Sequence, residues 1–271
     1  MSYFFVYRVA KTSYMTCHRP AARARRQTEN CKLKPETMDS NTIISPVSAE
    51  DGGMLRDHVY NRLRGSLMTG HYTPGQKLVI RQLADQLGTS LTPIREGLAR
   101  LVAEGVLESE ANRSARVPRM TGQKFRELRD IRMAVEGLAV RRAAERISAQ
   151  DVAELRRIAG ALIEARTRGD VAADVNLQGE FQLGVYRTAA MPNLMRIIES
   201  LWVQTGPYLK LLFPHYIKIA MERRGHWRDR LCNALEAHDA DAAYKEIIAD
   251  LSESLDYLTT VVDAAESIGR S

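Results

Sequence analysis

The sequence predicts a mainly α protein, with a compact three-helix module and a short β-hairpin near the front and an all-α bundle of six or seven helices behind it. Three observations lead there. From residue 124 to 268 apolar residues recur at three- and four-residue spacing almost without a break. Between residues 54 and 120 that spacing comes in three short runs, cut by Gly70, Thr73-Pro74-Gly75, Gly88 and Gly105. Two brief strand-like runs, Val106-Leu107-Glu108-Ser109 and Ala115-Arg116-Val117, then flank a polar tip at Ala111 to Ser114.

In order, Leu55, Val59, Leu63 and Leu67 repeat every four residues and give the first helix one apolar face. Leu83, Ala84 and Leu87 line a short second helix that stops at Gly88. Thr92 is placed as the N-cap of the third, Pro93 at its first position, and Ile94, Leu98, Leu101 and Val102 on its buried side. Helices two and three are separated only by Gly88-Thr89-Ser90-Leu91, the tight connection of a winged helix-turn-helix. In the bundle, three stripes stand out: Leu128, Ile131, Val135, Leu138 and Ala139; Leu155, Ile158, Leu162 and Ile163; Leu194, Ile197, Ile198, Leu201 and Trp202.

Domain boundaries follow as 1–53, 54–120 and 121–271. The first segment is basic, interrupted by Pro20, Pro35, Pro46, Gly52 and Gly53, and reads as a disordered extension or as an over-long start before Met38 or Met54. Lys and Arg outnumber Asp and Glu by 8 to 5 in 1–53 and by 10 to 6 in 54–120, but trail by 21 to 22 in 121–271. A basic front on a neutral rear suits a polyanionic partner such as DNA. Hydrophobic content of 45% and charged content of 27% are ordinary for a folded chain and exclude collagen-like or mostly disordered classes. No apolar run reaches the roughly 18 residues of a membrane span. Cys17, Cys31 and Cys232 are scattered and odd in number, which fits neither a disulfide framework nor a zinc site and suggests a reduced, cytoplasmic setting.

The docking geometry of a helix-turn-helix sends the start of the later helix into the major groove. Ser90, Thr92 and Arg95 occupy that start, with Arg95 off the apolar stripe and able to grip a guanine edge. Arg81 opens the second helix, and Asn112, Arg113 and Arg116 sit in or beside the wing. Against an enzyme, the chain has no phosphate-binding glycine loop, no Gly-x-Gly-x-x-Gly, no His-Glu-x-x-His and no Gly-x-Ser-x-Gly. A helical scaffold that ignores DNA is the remaining alternative.

The runs Thr69-Gly70-His71-Tyr72-Thr73-Pro74-Gly75-Gln76-Lys77-Leu78, Arg81 to Gly88, Ser90-Leu91-Thr92-Pro93-Ile94-Arg95-Glu96-Gly97-Leu98-Ala99-Arg100-Leu101 and Glu104-Gly105-Val106-Leu107 resemble the DNA-binding domain of the GntR family of bacterial transcriptional regulators. The helical remainder is similar to the effector-binding domain of the FadR subfamily. The resemblance implies a homodimer on a pseudo-palindromic double-stranded operator, acting as a metabolite-responsive repressor. It places Arg81, Thr92 and Arg95 at DNA-contacting positions. Leu91 stands where the family carries Arg, and Ser114 where it carries a wing glycine, so the operator is expected to differ from those of relatives.

Many FadR-type relatives hold a divalent metal with one Asp and three His beside a carboxylate effector. By register those positions are Gln178, Gln182, Arg228 and Asp250, and all four have changed. Neutral amides and a guanidinium are poor company for a metal, so none is expected, and no other cofactor. His215, His226 and His238 lack partners at ligand spacing. Arg132 matches a family arginine near the effector. Two roles stay open for Arg132, Gln178, Gln182, Arg228 and Asp250: a pocket for a small effector, such as a carboxylate or acyl compound, or an ion-pair network that only holds helices together and has lost its ligand.

Overall fold

The computed structural model describes residues 52–110, 114–213, 215–218 and 226–269. Of the extension expected over residues 1–53, residues 1–51 lie outside them, as does the wing tip at 111–113 with Asn112 and Arg113, while Gly52 and Gly53 belong to the first helix instead.

The front module is α1 (Gly52–Met68), β1 (Lys77–Val79), α2 (Ile80–Leu87), α3 (Leu91–Ala103), β2 (Glu108–Glu110) and β3 (Ser114–Arg116). Helix α1 starts at the two glycines that were expected to break it. Val59, Leu63 and Leu67 pack it against Ile94, Leu98 and Leu101 of α3, all buried. Gly88, left-handed at φ 61°, ends α2 and turns the chain into α3. Two local expectations are corrected. The N-cap of α3 is Ser90 (φ −74°, ψ 167°), not Thr92, and its side chain makes no capping bond. Pro93 thus falls third in the helix, still inside the first turn, where the missing N–H forfeits nothing. The hairpin is also part of a three-stranded antiparallel sheet of order β1-β3-β2, with Ala115 opposite both Leu78 and Ser109. Three residues such as Lys77–Val79 are too few to show a strand period, so β1 exists only through its pairing.

The rear includes α4 (Gly122–Ala144), α5 (Ala149–Thr167), α6 (Val171–Arg187), α7 (Pro192–Thr205), the 3-10 turn Gly206–Leu212, α8 (Trp227–Glu236) and α9 (Ala240–Gly269), and residues 215–218 are helical as well. Their starts are well marked. Thr121 caps α4, accepting from Lys124 N–H at 3.2 Å. Ser148 and Asp151 form a reciprocal capping box at α5, and Asp170 caps α6. Helix α9 runs along α4, and the core lies between them and α5 to α8.

The stripes need one correction. Ile131, Leu138, Ile163 and Ile197 are exposed by 39 to 50%. On α4 Leu128 and Ala139 of the expected stripe do face inward, and the other inward positions belong to Phe125, Arg132, Glu136 and Val140. A salt bridge sits where apolar periodicity would put leucine, and this shifts the true face away from the one hydrophobicity suggests.

The two modules pack directly on each other. Val203 of α7 joins the front module's core cluster, and Arg64 of α1 bridges Glu199 of α7 at 2.9 Å. Gly206 packs so closely on the end of α1 that a Cβ there would stand 2.6 Å from Met68 Cα and nearer still to the Leu67 carbonyl oxygen. The Tyr208 hydroxyl accepts from Met120 N–H at 2.6 Å and donates to the Pro118 carbonyl at 3.2 Å, fastening the linker that precedes α4.

Candidate nucleic-acid interface and effector cavity

The first face is set by α2 and α3. Arg81 stands in the first turn of α2; Ser90, Thr92 and Arg95 stand at or near the start of α3, and all four are exposed. Among the described residues neither Arg81 nor Arg95 meets a carboxylate. The Ser90 side chain makes no capping bond, so the first-turn N–H groups of α3, at the positive end of its dipole, take no acceptor from it. Guanidiniums without a carboxylate partner, one in the first turn of α2 and one near the start of α3, have the chemistry to grip a phosphate or a base edge.

Arg116 has other work. Its Nε donates to Glu110 Oε1 at 2.7 Å, its Nη1 to the Gly75 carbonyl at 2.7 Å, and its Nη2 also bonds Glu110. Arg116 first, then Lys77, holds the Glu110 carboxyl below the usual carboxylate range. This fastens β3 to β2 and to the turn before β1, so Arg116 helps set the wing's shape.

The second place is a cavity inside the helical rear. Arg132, Gln178, Gln182, Arg228 and Asp250 all line it. Gln178 and Gln182 are one turn apart on α6, 3.5 Å amide to amide. Gln182 Nε2 donates to Asp250 Oδ2 of α9 at 3.1 Å, and Arg228 of α8 bonds the Gln178 carbonyl oxygen. Arg228 also stacks 4.3 Å over the Trp227 ring. The four positions assigned by register to a metal therefore do converge. They do not fit one: the set offers a single carboxylate, the amide nitrogen of Gln182 already faces it, and a guanidinium stands among them. Among the described residues no group of three or more His, Cys, Asp and Glu is placed to hold a metal ion.

Several residues in the wall or buried behind it escaped the sequence reading. Arg132 pairs with Glu136 (Nε to Oε1 2.5 Å, Nη2 to Oε2 3.3 Å), a residue 0% exposed. The Trp202 Nε1 donates to the same carboxylate at 3.2 Å, and Thr205 accepts from Arg132 Nη1 at 3.2 Å. Burial first, then Glu136, pushes the Tyr186 phenol well above its ordinary value. Arg166 clasps Asp174 through two bonds, at 2.7 and 3.3 Å. The i,i+4 spacing of Arg132 and Glu136 was a signal that could have found that pair. The eight-residue step from Arg166 to Asp174 crosses a helix junction and carried none. Trp202, Phe213, Tyr216 and Trp227 supply aromatic wall, and Leu209 and Leu212 bring the 3-10 turn to the cavity's edge.

Comparison with known proteins agrees with both halves. Residues 55–117 match the family described as bacterial regulatory proteins, gntR family, and residues 127–253 match the FCD domain. The HTH-type transcriptional regulator McbR of Escherichia coli K12 is 37% identical over 155 residues, 57% of this chain and 70% of that protein. The Nta operon transcriptional regulator of Aminobacter aminovorans is 25% identical over 198 residues, 72% of this chain and 90% of its own. The solved structure of E. coli McbR/YncC superposes with a TM-score of 0.71 at 32% identity, covering 76% of this chain and 97% of that one.

Proposed function

The chain belongs to the gntR family of bacterial regulatory proteins, with an FCD domain behind a winged helix-turn-helix, and on that premise we propose how its residues carry out regulation. It is a DNA-binding transcriptional regulator; its family and relatives are regulators rather than enzymes. No described helix is long and apolar enough to cross a membrane, and the cytoplasm is where such a protein meets DNA.

Two copies act together as a homodimer, each reading one half of a pseudo-palindromic operator. Arg95 takes a base edge in the major groove, while Arg81, Thr92, Ser90 and the α3 amides hold phosphates. Asn112 and Arg113 extend the contact along the wing. The observation that carries this reading is the pair of exposed arginines, free of carboxylates among the described residues, Arg81 in the first turn of α2 and Arg95 near the start of α3.

The helical rear is the sensor, and the protein is a metabolite-responsive repressor. An effector among Arg132, Gln178, Gln182, Arg228 and Asp250 presses on Leu209 and Leu212. The 3-10 turn carrying those leucines also carries Gly206, wedged on α1, and Tyr208, which fastens the linker. The turn therefore touches both modules, and repacking it reorients the DNA-reading helices. A ligand shifts operator affinity only by its preference for one arrangement, typically about 1–3 kcal/mol.

A gel shift against the chain's own promoter region tests this. A sequence-selective band that weakens steeply with salt is expected, because phosphate contacts release counterions. Equal affinity for all duplexes, or none at moderate salt, overturns it.

A further inference from the structure

We propose that the cavity of the helical rear takes a small organic molecule of no net charge, with a flat apolar body and an amide-like or hydroxyl end. This rests on reading the cavity as the effector site and specifies its ligand.

The argument begins with charge. Arg132, Arg166 and Arg228 bring three positive charges to the wall, and Asp174 and Asp250 bring two negative ones. Glu136, buried directly behind Arg132 and bonded to it twice, supplies the third. The site is balanced before anything enters. Two of the cations are committed to two-point carboxylate clasps within the protein, Arg132 to Glu136 and Arg166 to Asp174. A carboxylate or phosphate ligand would bring an unbalanced charge into a place walled by tryptophan, tyrosine and leucine, or would break one of those clasps. Either is unfavourable, since a buried charge without its partner loses solvation that nothing replaces.

The polar floor points the same way. Gln178, Gln182, Arg228 and Asp250 form a chain in which amide donors meet carbonyl and carboxylate acceptors. An amide or hydroxyl can join such a chain by donating and accepting at once, with no change in charge. Above that floor stand the rings of Trp202, Phe213, Tyr216 and Trp227, which favour a flat apolar body.

Size narrows the class. The centre of a water-sized sphere can sweep about 50 Å³ of the cavity. One water needs roughly 10–15 Å³ on that measure, so the space suits a one-ring molecule.

Three probes of one shape separate the possibilities: benzamide, benzoate and benzamidinium. The chain's two tryptophans, Trp202 and Trp227, both line the cavity, so their fluorescence reports occupancy directly. In the full-length protein, benzamide should quench or shift that emission at concentrations on the order of tenfold lower than either charged probe. Asp250→Asn leaves the wall one positive charge in excess and should move the preference to benzoate. Arg228→Gln leaves it one negative charge in excess and should move the preference to benzamidinium. Should either variant fail to fold, the other and the wild-type ranking still decide. A wild-type protein that ranks benzoate first overturns the neutral-ligand proposal and leaves the effector site standing. A protein whose tryptophans and operator affinity respond to none of the three overturns the effector site and the proposal with it.

Discussion

Arg132 and Glu136, one turn apart on α4, form a salt bridge whose side chains are 4% and 0% exposed. Removing one partner strands the other charge in the core. Arg132→Ala should destabilise the helical domain by about 3–5 kcal/mol, whereas the paired change Arg132→Met with Glu136→Leu should recover most of that loss. Urea unfolding followed by circular dichroism measures both. A single variant as stable as wild type would show that water reaches the pair.

Arg95→Ala removes the guanidinium assigned to a base edge and should cost about 1–3 kcal/mol on the operator. Binding to unrelated duplexes should change little, and thermal stability not at all, because the side chain is exposed. Fluorescence anisotropy with both duplexes at two salt concentrations tells selectivity from loss of charge. Equal weakening on both duplexes would make Arg95 a phosphate contact.

Gly206→Ala places a methyl against Met68 Cα and the Leu67 carbonyl. The end of α1 must then move off the 3-10 turn, at about 1–3 kcal/mol for the overpacking. Each module keeps its own core, so operator binding should survive while its response to a cavity ligand shrinks. Hydrogen exchange should rise at the end of α1 and at the linker, residues 118–121. Unchanged exchange together with a full ligand response would show that the joint carries no signal.

Burial holds the Cys232 thiol up to about 11, so at neutral pH it is both protonated and shielded. In a variant carrying Cys17→Ser and Cys31→Ser, thiol-reactive dye should label the folded protein slowly and the urea-unfolded protein at once. Since an unfolded cysteine ionises near 8.5, this group opposes folding less below that pH than above it, and stability should decline as pH rises from about 8.5 towards 11. Rapid labelling of the folded variant at neutral pH would mean that α8 opens locally.

Much of the front module was legible in the sequence. Val59, Leu63, Ile94 and Leu98 are both periodic and buried, and Gly88 and Gly105 punctuate where the backbone turns left-handed. The rear was legible as helices but less so in its facing. Ile131, Leu138 and Ile197 look like core and are exposed; Arg132, Glu136 and Asp174 look like surface and are buried.

Order along the chain therefore determined the helix-turn-helix, the helical bundle behind it and the exposure of Arg81 and Arg95, because local spacing and turn chemistry act over a few residues and leave a readable pattern. Tertiary structure alone decided which charges go inside, that β1 is a strand, and that one short 3-10 turn touches both modules. A buried carboxylate is tolerable only when a distant or precisely turned partner neutralises it, and a three-residue strand only when another strand accepts its hydrogen bonds; neither partner is written in the neighbouring residues.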